Sequence, residues 1–184
     1  MKLDLHRIGR FRLLFGYLIG LLCLVHDKHE LFMPGVGIAL LGIAVRIWAA
    51  GHLQKNVRLA TGGPYAFTRN PLYLGSFVLG AGVVASVRAW WLLPVYLAGF
   101  AVFYWPTVHR EERQLLERFG DEYRAYRDRV PALLPWKFRP GEDRFSFARV
   151  IRNREHLYAL GCVVFLLALE ATEELRALLR HPHG

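Results

Sequence analysis

Side chains able to do chemistry concentrate in two polar runs. The first is Gly62–Gly75, GGPYAFTRNPLYLG, which offers Tyr65, Arg69, Asn70 and Tyr73. The second is His109-Arg110-Glu111-Glu112-Arg113, where two adjacent carboxylates follow a long apolar run. Both runs also have a plain structural reading. Gly-Gly-Pro makes a turn, and Asn70-Pro71 starts a helix, with Asn as N-cap and Pro at the first helical position. The acid pair reads as a solvated charge cluster at a helix exit. Anionic lipid headgroups would repel such a pair. A cation must balance it, and Arg110 is the nearest.

Absent motifs narrow the chemistry. The chain has no GxGxxG after a strand and no GxxxxGK[ST], so neither a dinucleotide fold nor a phosphate loop is signalled. It has no GxSxG nucleophile elbow and no HExxH or cysteine cluster for a metal. Cys23 and Cys162 lie in apolar stretches without a Cys or His neighbour in ligand spacing, which excludes a disulfide framework and a zinc site. They read as small packing residues.

The elements that must position these runs are apolar. The chain is 54% hydrophobic yet carries a net charge of +9, and the two kinds of residue are segregated into blocks. Five apolar stretches run Phe11–Val25, Leu31–Ala50, Leu72–Val87, Ala89–Val108 and Leu157–Ala171. A spanning helix needs about 20 mostly apolar residues. The first, third and fifth stretches are short and need flanking or snorkelling residues to cross. A globule of 184 residues cannot enclose this many helices that are apolar on all faces. The expected fold is an all-α polytopic membrane bundle of about five spans, with a cytoplasmic amphipathic helix capping the site.

Charge placement points the same way. With a cytoplasmic amino terminus and five crossings, 19 basic residues fall on the cytoplasmic side and 4 on the other. This is the positive-inside pattern. Binding of anionic lipid headgroups accounts for the basic residues, so nucleic acid is not expected as a partner. No small-residue cleavage site follows the first apolar run, which argues against a cleavable signal. The expected location is integral in a membrane such as the bacterial inner membrane.

Along the chain, three parts are expected: N-terminal membrane helices over 1–56, a central core over 57–139, and a linker with one more helix over 140–184. The first two spans are joined by the polar loop His26–Glu30. Gly35, Gly37 and Gly42 permit close helix packing in lipid. Arg46 either snorkels to the interface beside Trp48 or points into a polar cavity. The third and fourth spans form a hairpin with a turn near Ser86–Ala89 and Trp90 and Trp91 at its rim. Leu116, Phe119, Tyr123, Tyr126 and Val130 are spaced as one face of a helix, ended by Pro131 and Pro135. Residues 139–156 read as a polar, basic linker.

Taken together, "GGPYAFTRNPLYLG", an apolar hairpin and "EERQLLERFGDEYRAYRDRVPALLP" resemble the isoprenylcysteine carboxyl methyltransferase family and its phospholipid methyltransferase relatives. The ordered pattern covers about residues 46–136. The resemblance implies a membrane-embedded methyltransferase that takes S-adenosyl-L-methionine from the cytosol and a lipophilic or lipid acceptor from the bilayer. Carried over by motif, Tyr65, Arg69, Asn70, Pro71, Tyr73 and Leu74 help form the cofactor pocket. Glu111 and Glu112 match the acidic pair, Tyr123 and Tyr126 lie on the covering helix, and Arg110 and Glu111 are the candidate catalytic residues. Many members have His where this chain has Asn70. An amide cannot titrate, so a hydrogen-bonding role is expected there rather than that of a base.

Methyl transfer from a sulfonium is an in-line displacement, and positioning alone can supply up to roughly 7–11 kcal/mol of it. Glu111 or Glu112 could bind ribose hydroxyls or the cofactor's ammonium, and Arg110 could hold an anionic acceptor. A carboxylate acceptor, as in prenylcysteine, needs no base at neutral pH, whereas an ammonium must first lose a proton. The absence of an obvious base favours a carboxylate or thiol over a phospholipid amine. A non-catalytic membrane scaffold of the same fold is the rival from another class; a lipid-modifying reductase would need a longer chain. The enzymatic reading requires Gly62–Gly75 and Arg110–Val130 to meet around one pocket.

Overall fold

The computed structural model describes residues 5–26, 31–54, 57–133 and 143–180. These residues form six α-helices: α1 (Leu5–Val25), α2 (Met33–His52), α3 (Pro71–Ser86), α4 (Leu92–Arg129), α5 (Phe147–Arg152) and α6 (Glu155–Arg180). A single 3-10 turn, Gly63–Ala66, precedes α3. Several sequence expectations fall outside the described residues: Asp27–Glu30 of the first loop, Lys2, Lys55, Lys137, Arg139 and the helix-ending Pro135.

Three helices are long and apolar enough to cross a membrane: Met33–His52, Leu92–Arg129 and Glu155–Arg176. Phe11–Val25 and Pro71–Ser86 are shorter apolar helices. The stretch Leu157–Ala171 is extended at both ends within the 26 residues of α6, a length of about 39 Å at 1.5 Å per residue. At 16 residues, α3 is about 24 Å long, below the roughly 30 Å hydrocarbon thickness. Many large apolar side chains on the helix exteriors are exposed, among them Leu14, Leu41, Val102 and Leu167. In a bilayer those faces meet lipid.

The closest helix pair is α2 against α3. Gly35 abuts the backbone of Ala85 and Ser86, Gly42 that of Gly75 and Leu79, and Gly82 that of Ala39. A Cβ at any of these glycines would run into main chain. Small residues permit such contact in lipid, where helix association draws on close packing rather than on water release. Gly37 is different. Nothing lies within 4 Å of the position its Cβ would take, so it is not part of this seam.

Consecutive apolar helices run in opposite directions. At one end the Phe32 amide donates to the Ser86 carbonyl at 2.7 Å, and Arg176 of α6 donates to the carbonyls of Leu24 and His26 at 3.1 and 2.9 Å. Trp90 and Trp91 are exposed there. The other end collects the polar groups described below.

Beyond its apolar part, α4 does not continue as one straight amphipathic helix to Val130. Gly120 has φ 52° and ψ −121°, a conformation that a residue with a Cβ rarely adopts. The chain turns back there. Leu115, Leu116 and Phe119 before the turn pack on Tyr123, Tyr126 and Val130 after it, with Leu59 joining them. The five apolar positions read from the sequence do share one cluster, but as the inside of a folded arm.

Residues 143–156, expected as linker, instead form an extended strap, then α5 and the start of α6. They are held at many points to α2 and to the loop after it.

Candidate functional site

Glu111 and Glu112 are neighbours on α4, and one helical step turns successive side chains by roughly 100°. They therefore point into different surroundings. Glu112 faces the 69–70 segment. Arg69 donates from Nε to its Oε1 at 2.8 Å, and the Asn70 amide donates to the same oxygen at 3.3 Å. Both of these bonds fall on Oε1. The Tyr123 hydroxyl is buried beside this carboxylate and has no other hydrogen-bond partner among the described residues. Burial and the Glu112 charge both raise its pKa, so it remains a neutral donor.

Arg69 and Asn70 also tie the loop to the end of the folded arm. Arg69 Nη1 donates to the carbonyls of Arg127 and Val130 at 2.8 and 3.1 Å. Its own amide donates to the Pro131 carbonyl at 2.9 Å. Asn70 Nδ2 donates to the Ala132 carbonyl at 3.0 Å. The expected N-cap bond, in which Asn70 Oδ1 would accept from an amide of α3, does not form; the side chain is oriented instead by its Nδ2 bonds to Glu112 and Ala132. Pro71 does occupy the first turn of α3 and is fully buried. Hydrogen bonding is thus what Asn70 does here.

Between the two sections of α4 lies a recess of about 360 Å³ lined by His109, Glu112, Arg113, Leu116, Tyr123 and Arg127. Of the residues expected to bind the cofactor or act in catalysis, only Glu112 and Tyr123 line it; His109 and Arg113 of the second polar run and Leu116 of the apolar helix face line it too. Tyr65 sits behind it, buried, its carbonyl accepting from the Tyr126 hydroxyl at 2.7 Å. Burial, and then the charges of Glu111 and Glu155, push the Tyr65 hydroxyl above its usual pKa.

Glu111 faces the apolar bundle. Tyr73 of α3 donates to its Oε1 at 2.6 Å, and Arg12 of α1 donates to the Tyr73 oxygen at 3.3 Å. The Tyr73 ring meets Tyr104 edge-on at 5.8 Å. Tyr73 and Glu111 are therefore separated from the recess rather than part of it. Leu74 is half-buried on α3. Arg110 is half-buried and makes no ion pair among the described residues.

Sequence reasoning missed three contributors. The first is Glu155, which takes Arg46 as a two-point ion pair: Nε to Oε1 at 2.6 Å and Nη2 to Oε2 at 3.1 Å. Arg46 Nη1 also donates to Ser76 and to the Leu72 carbonyl, and the guanidinium lies 3.9 Å from the Tyr158 ring. Arg46 therefore turns into the bundle rather than snorkelling, and what it meets there is Glu155, Ser76 and the Leu72 carbonyl rather than the polar cavity of the second reading. The second is Asp143, which pairs with Arg58 and accepts the Gly62 amide at 3.1 Å. Asn153 adds bonds to the carbonyls of Ala50 and Leu53 at 3.0 and 3.1 Å. The third is Arg12. Arg46 and Glu155 stand at matching ends of apolar runs, which is the sole sequence hint of their pairing.

The fold and this end define a class: an all-helical bundle with apolar exteriors whose helix ends gather acids, guanidiniums and tyrosines around a polar recess. Residues 33–122 match the model of the phospholipid methyltransferase family. The chain is 32% identical over 142 residues to the nickel-cobalt-cadmium resistance protein NccN of Alcaligenes xylosoxydans xylosoxydans, covering 71% of this chain and 65% of NccN. It is 40% identical over 80 residues to methanethiol S-methyltransferase 1 of Bradyrhizobium diazoefficiens, covering 40% of this chain and 25% of that protein. It is 28% identical over 117 residues to protein-S-isoprenylcysteine O-methyltransferase of Schizosaccharomyces pombe, covering 64% of this chain and 48% of that protein. The chain thus spans less than two thirds of the length of each of these relatives. No solved structure matches it. Over residues 33–122, about half of its length, the chain belongs to the phospholipid methyltransferase and isoprenylcysteine methyltransferase-like family of membrane proteins.

Proposed function

We propose that the protein transfers a methyl group from S-adenosyl-L-methionine to a lipophilic acceptor in the membrane, the recess holding the cofactor and the apolar side of α4 receiving the acceptor. The observation that carries this reading is the convergence of Arg69, Asn70 and Tyr123 on Glu112. The two segments required to meet do so there, at a recess of about 360 Å³.

The recess suits the cofactor's chemistry. Glu112 and the Tyr123 hydroxyl can engage ribose hydroxyls or an ammonium. Arg113 and Arg127 can hold a carboxylate, and Leu116 supplies an apolar wall for a purine. The bound cofactor would supply the methyl electrophile itself, so no metal is required. Arg69 and Asn70 hold the Glu112 carboxylate in place and tie the folded arm over it. Tyr73 orients Glu111 toward the bundle and the acceptor; Arg110, the preceding residue on α4, is the candidate to hold an anionic acceptor group. In the displacement the sulfur–methyl bond breaks as the acceptor–methyl bond forms. The sulfur keeps the bonding pair and leaves as a thioether. A carboxylate or thiolate acceptor has no proton to lose. Relatives named as methyltransferases of methanethiol and of protein isoprenylcysteine fit this preference.

The test is saturable S-adenosyl-L-methionine binding to detergent-solubilised protein by calorimetry. Wild type should bind, and Glu112→Gln should weaken binding by roughly tenfold or more, the loss of a charge-assisted hydrogen bond. No saturable binding at millimolar cofactor would leave a membrane scaffold as the better description.

A further inference from the structure

We infer that Arg12 on α1 selects the acceptor, favouring an anionic head group over a neutral or cationic one. The inference rests on the assignment of the bundle side of α4 to the acceptor. Four charged side chains border the Tyr73–Tyr104 region. Glu111 accepts from Tyr73. Arg46 and Glu155 neutralise each other through two hydrogen bonds. Arg12 alone reaches in from α1, and it makes no ion pair among the described residues.

Its position is specific. A guanidinium in an apolar helix end would ordinarily extend into the headgroup layer. Arg12 instead crosses to α3, donating from Nη1 to the Tyr73 oxygen at 3.3 Å. Its central carbon lies 5.8 Å from the Tyr73 ring centre and 5.5 Å from that of Tyr104. Among the described residues Arg12 makes this one hydrogen bond, which engages one of its five N–H donors. These donors form a fork that matches a carboxylate. The Arg12–Tyr73–Glu111 chain places this fork one side chain away from the acid at the α4 exit. An ammonium here would meet a like charge; a carboxylate or thiolate would gain a charge-assisted bond. Phe15, one turn along α1, packs on Phe103 at 5.2 Å and lines the same helix contact with aromatic surface. A lipophilic tail can lie against it. Because α1 precedes the 33–122 segment matched by the family model, the selecting residue comes from a part of the chain that the family match does not cover.

The test uses three ligands with one farnesyl tail: N-acetyl-S-farnesylcysteine, its carboxamide, and farnesylamine. Equilibrium binding to the solubilised protein is measured for wild type, Arg12→Gln and Arg12→Lys. Wild type should prefer the carboxylate over the carboxamide by roughly 10- to 100-fold, the span of one hydrogen bond to a charged group. Arg12→Gln should erase that preference, and Arg12→Lys should keep part of it. S-adenosyl-L-methionine affinity should stay unchanged in both variants, which reports that they are folded. Equal wild-type affinity for all three ligands overturns the inference, as does no saturable binding of any of them, or a carboxylate preference that survives in Arg12→Gln. Failure of wild type to bind S-adenosyl-L-methionine is a separate result and strikes the methyltransferase assignment.

Discussion

The α2–α3 seam and the polar end are held together by opposite means. At the seam, Gly35, Gly42 and Gly82 let backbones touch, and the contact needs no charge. At the polar end, the last two turns of the same α2 helix carry Arg46, which is bound by Glu155 from α6, 109 residues away in sequence. Small-residue packing tolerates no added atom but no specific partner either. The ion pair tolerates changes of size but depends on one partner. A bundle that must be rigid in lipid and still present charged groups at one end uses both.

The largest loss of stability is expected at the ion pair. Glu155→Leu leaves a nearly buried guanidinium without its carboxylate, and such loss costs about 3–5 kcal/mol. The expected result is a large drop in the denaturation midpoint in detergent. Arg46→Leu combined with Glu155→Leu should recover much of it, since no unpaired charge remains. A single variant as stable as wild type would show that the strap and α6 are not anchored there.

Next in size is the seam. Gly42→Ala places a Cβ against the backbone of Leu79 and Gly75, with a cost toward the upper part of about 1–3 kcal/mol. Unlike the ion-pair variant, no second substitution on α3 should rescue it, because the clash is with main chain. Denaturation of the single and double variants separates the two cases.

Gly120→Ala tests the folded arm. Space is free around that position, so the cost is conformational, about 1–3 kcal/mol for a residue with a Cβ held at this φ and ψ. Cofactor affinity should fall with it, as Tyr123 and Arg127 leave the recess; calorimetry reads that directly. The smallest effect is expected at Gly37→Ala, which meets no neighbour. It should be neutral or stabilise by up to about 1 kcal/mol. Thermal unfolding of Gly37→Ala beside Gly42→Ala shows whether the seam is confined to one face of α2.

Part of the candidate site's geometry was legible because its residues lie in short runs set in an ordered pattern. Arg69, Asn70, Glu112 and Tyr123 do come together. What local reading could not separate was Glu111 from Glu112. Adjacent in sequence, they look like one acid pair, and only the helical turn sends one to the recess and the other to the bundle. Likewise Tyr123 and Tyr126 were legible as apolar positions of a helix, but the reversal at Gly120 depends on one φ angle. The periodicity on either side conceals it. Asn70 carried a strong local signal for an N-cap that lost to tertiary partners at Glu112 and Ala132.

Five apolar segments, their basic flanks and the two polar runs follow from the chain alone, because the exclusion of charge from hydrocarbon acts residue by residue. The pairing of Arg46 with Glu155, the strap bonds of Asp143 and Asn153, and the reach of Arg12 to Tyr73 follow only from the packed bundle. Each joins residues at least 61 positions apart. No local pattern encodes which of many arginines will meet which carboxylate; the relative rotation and depth of the helices decide that.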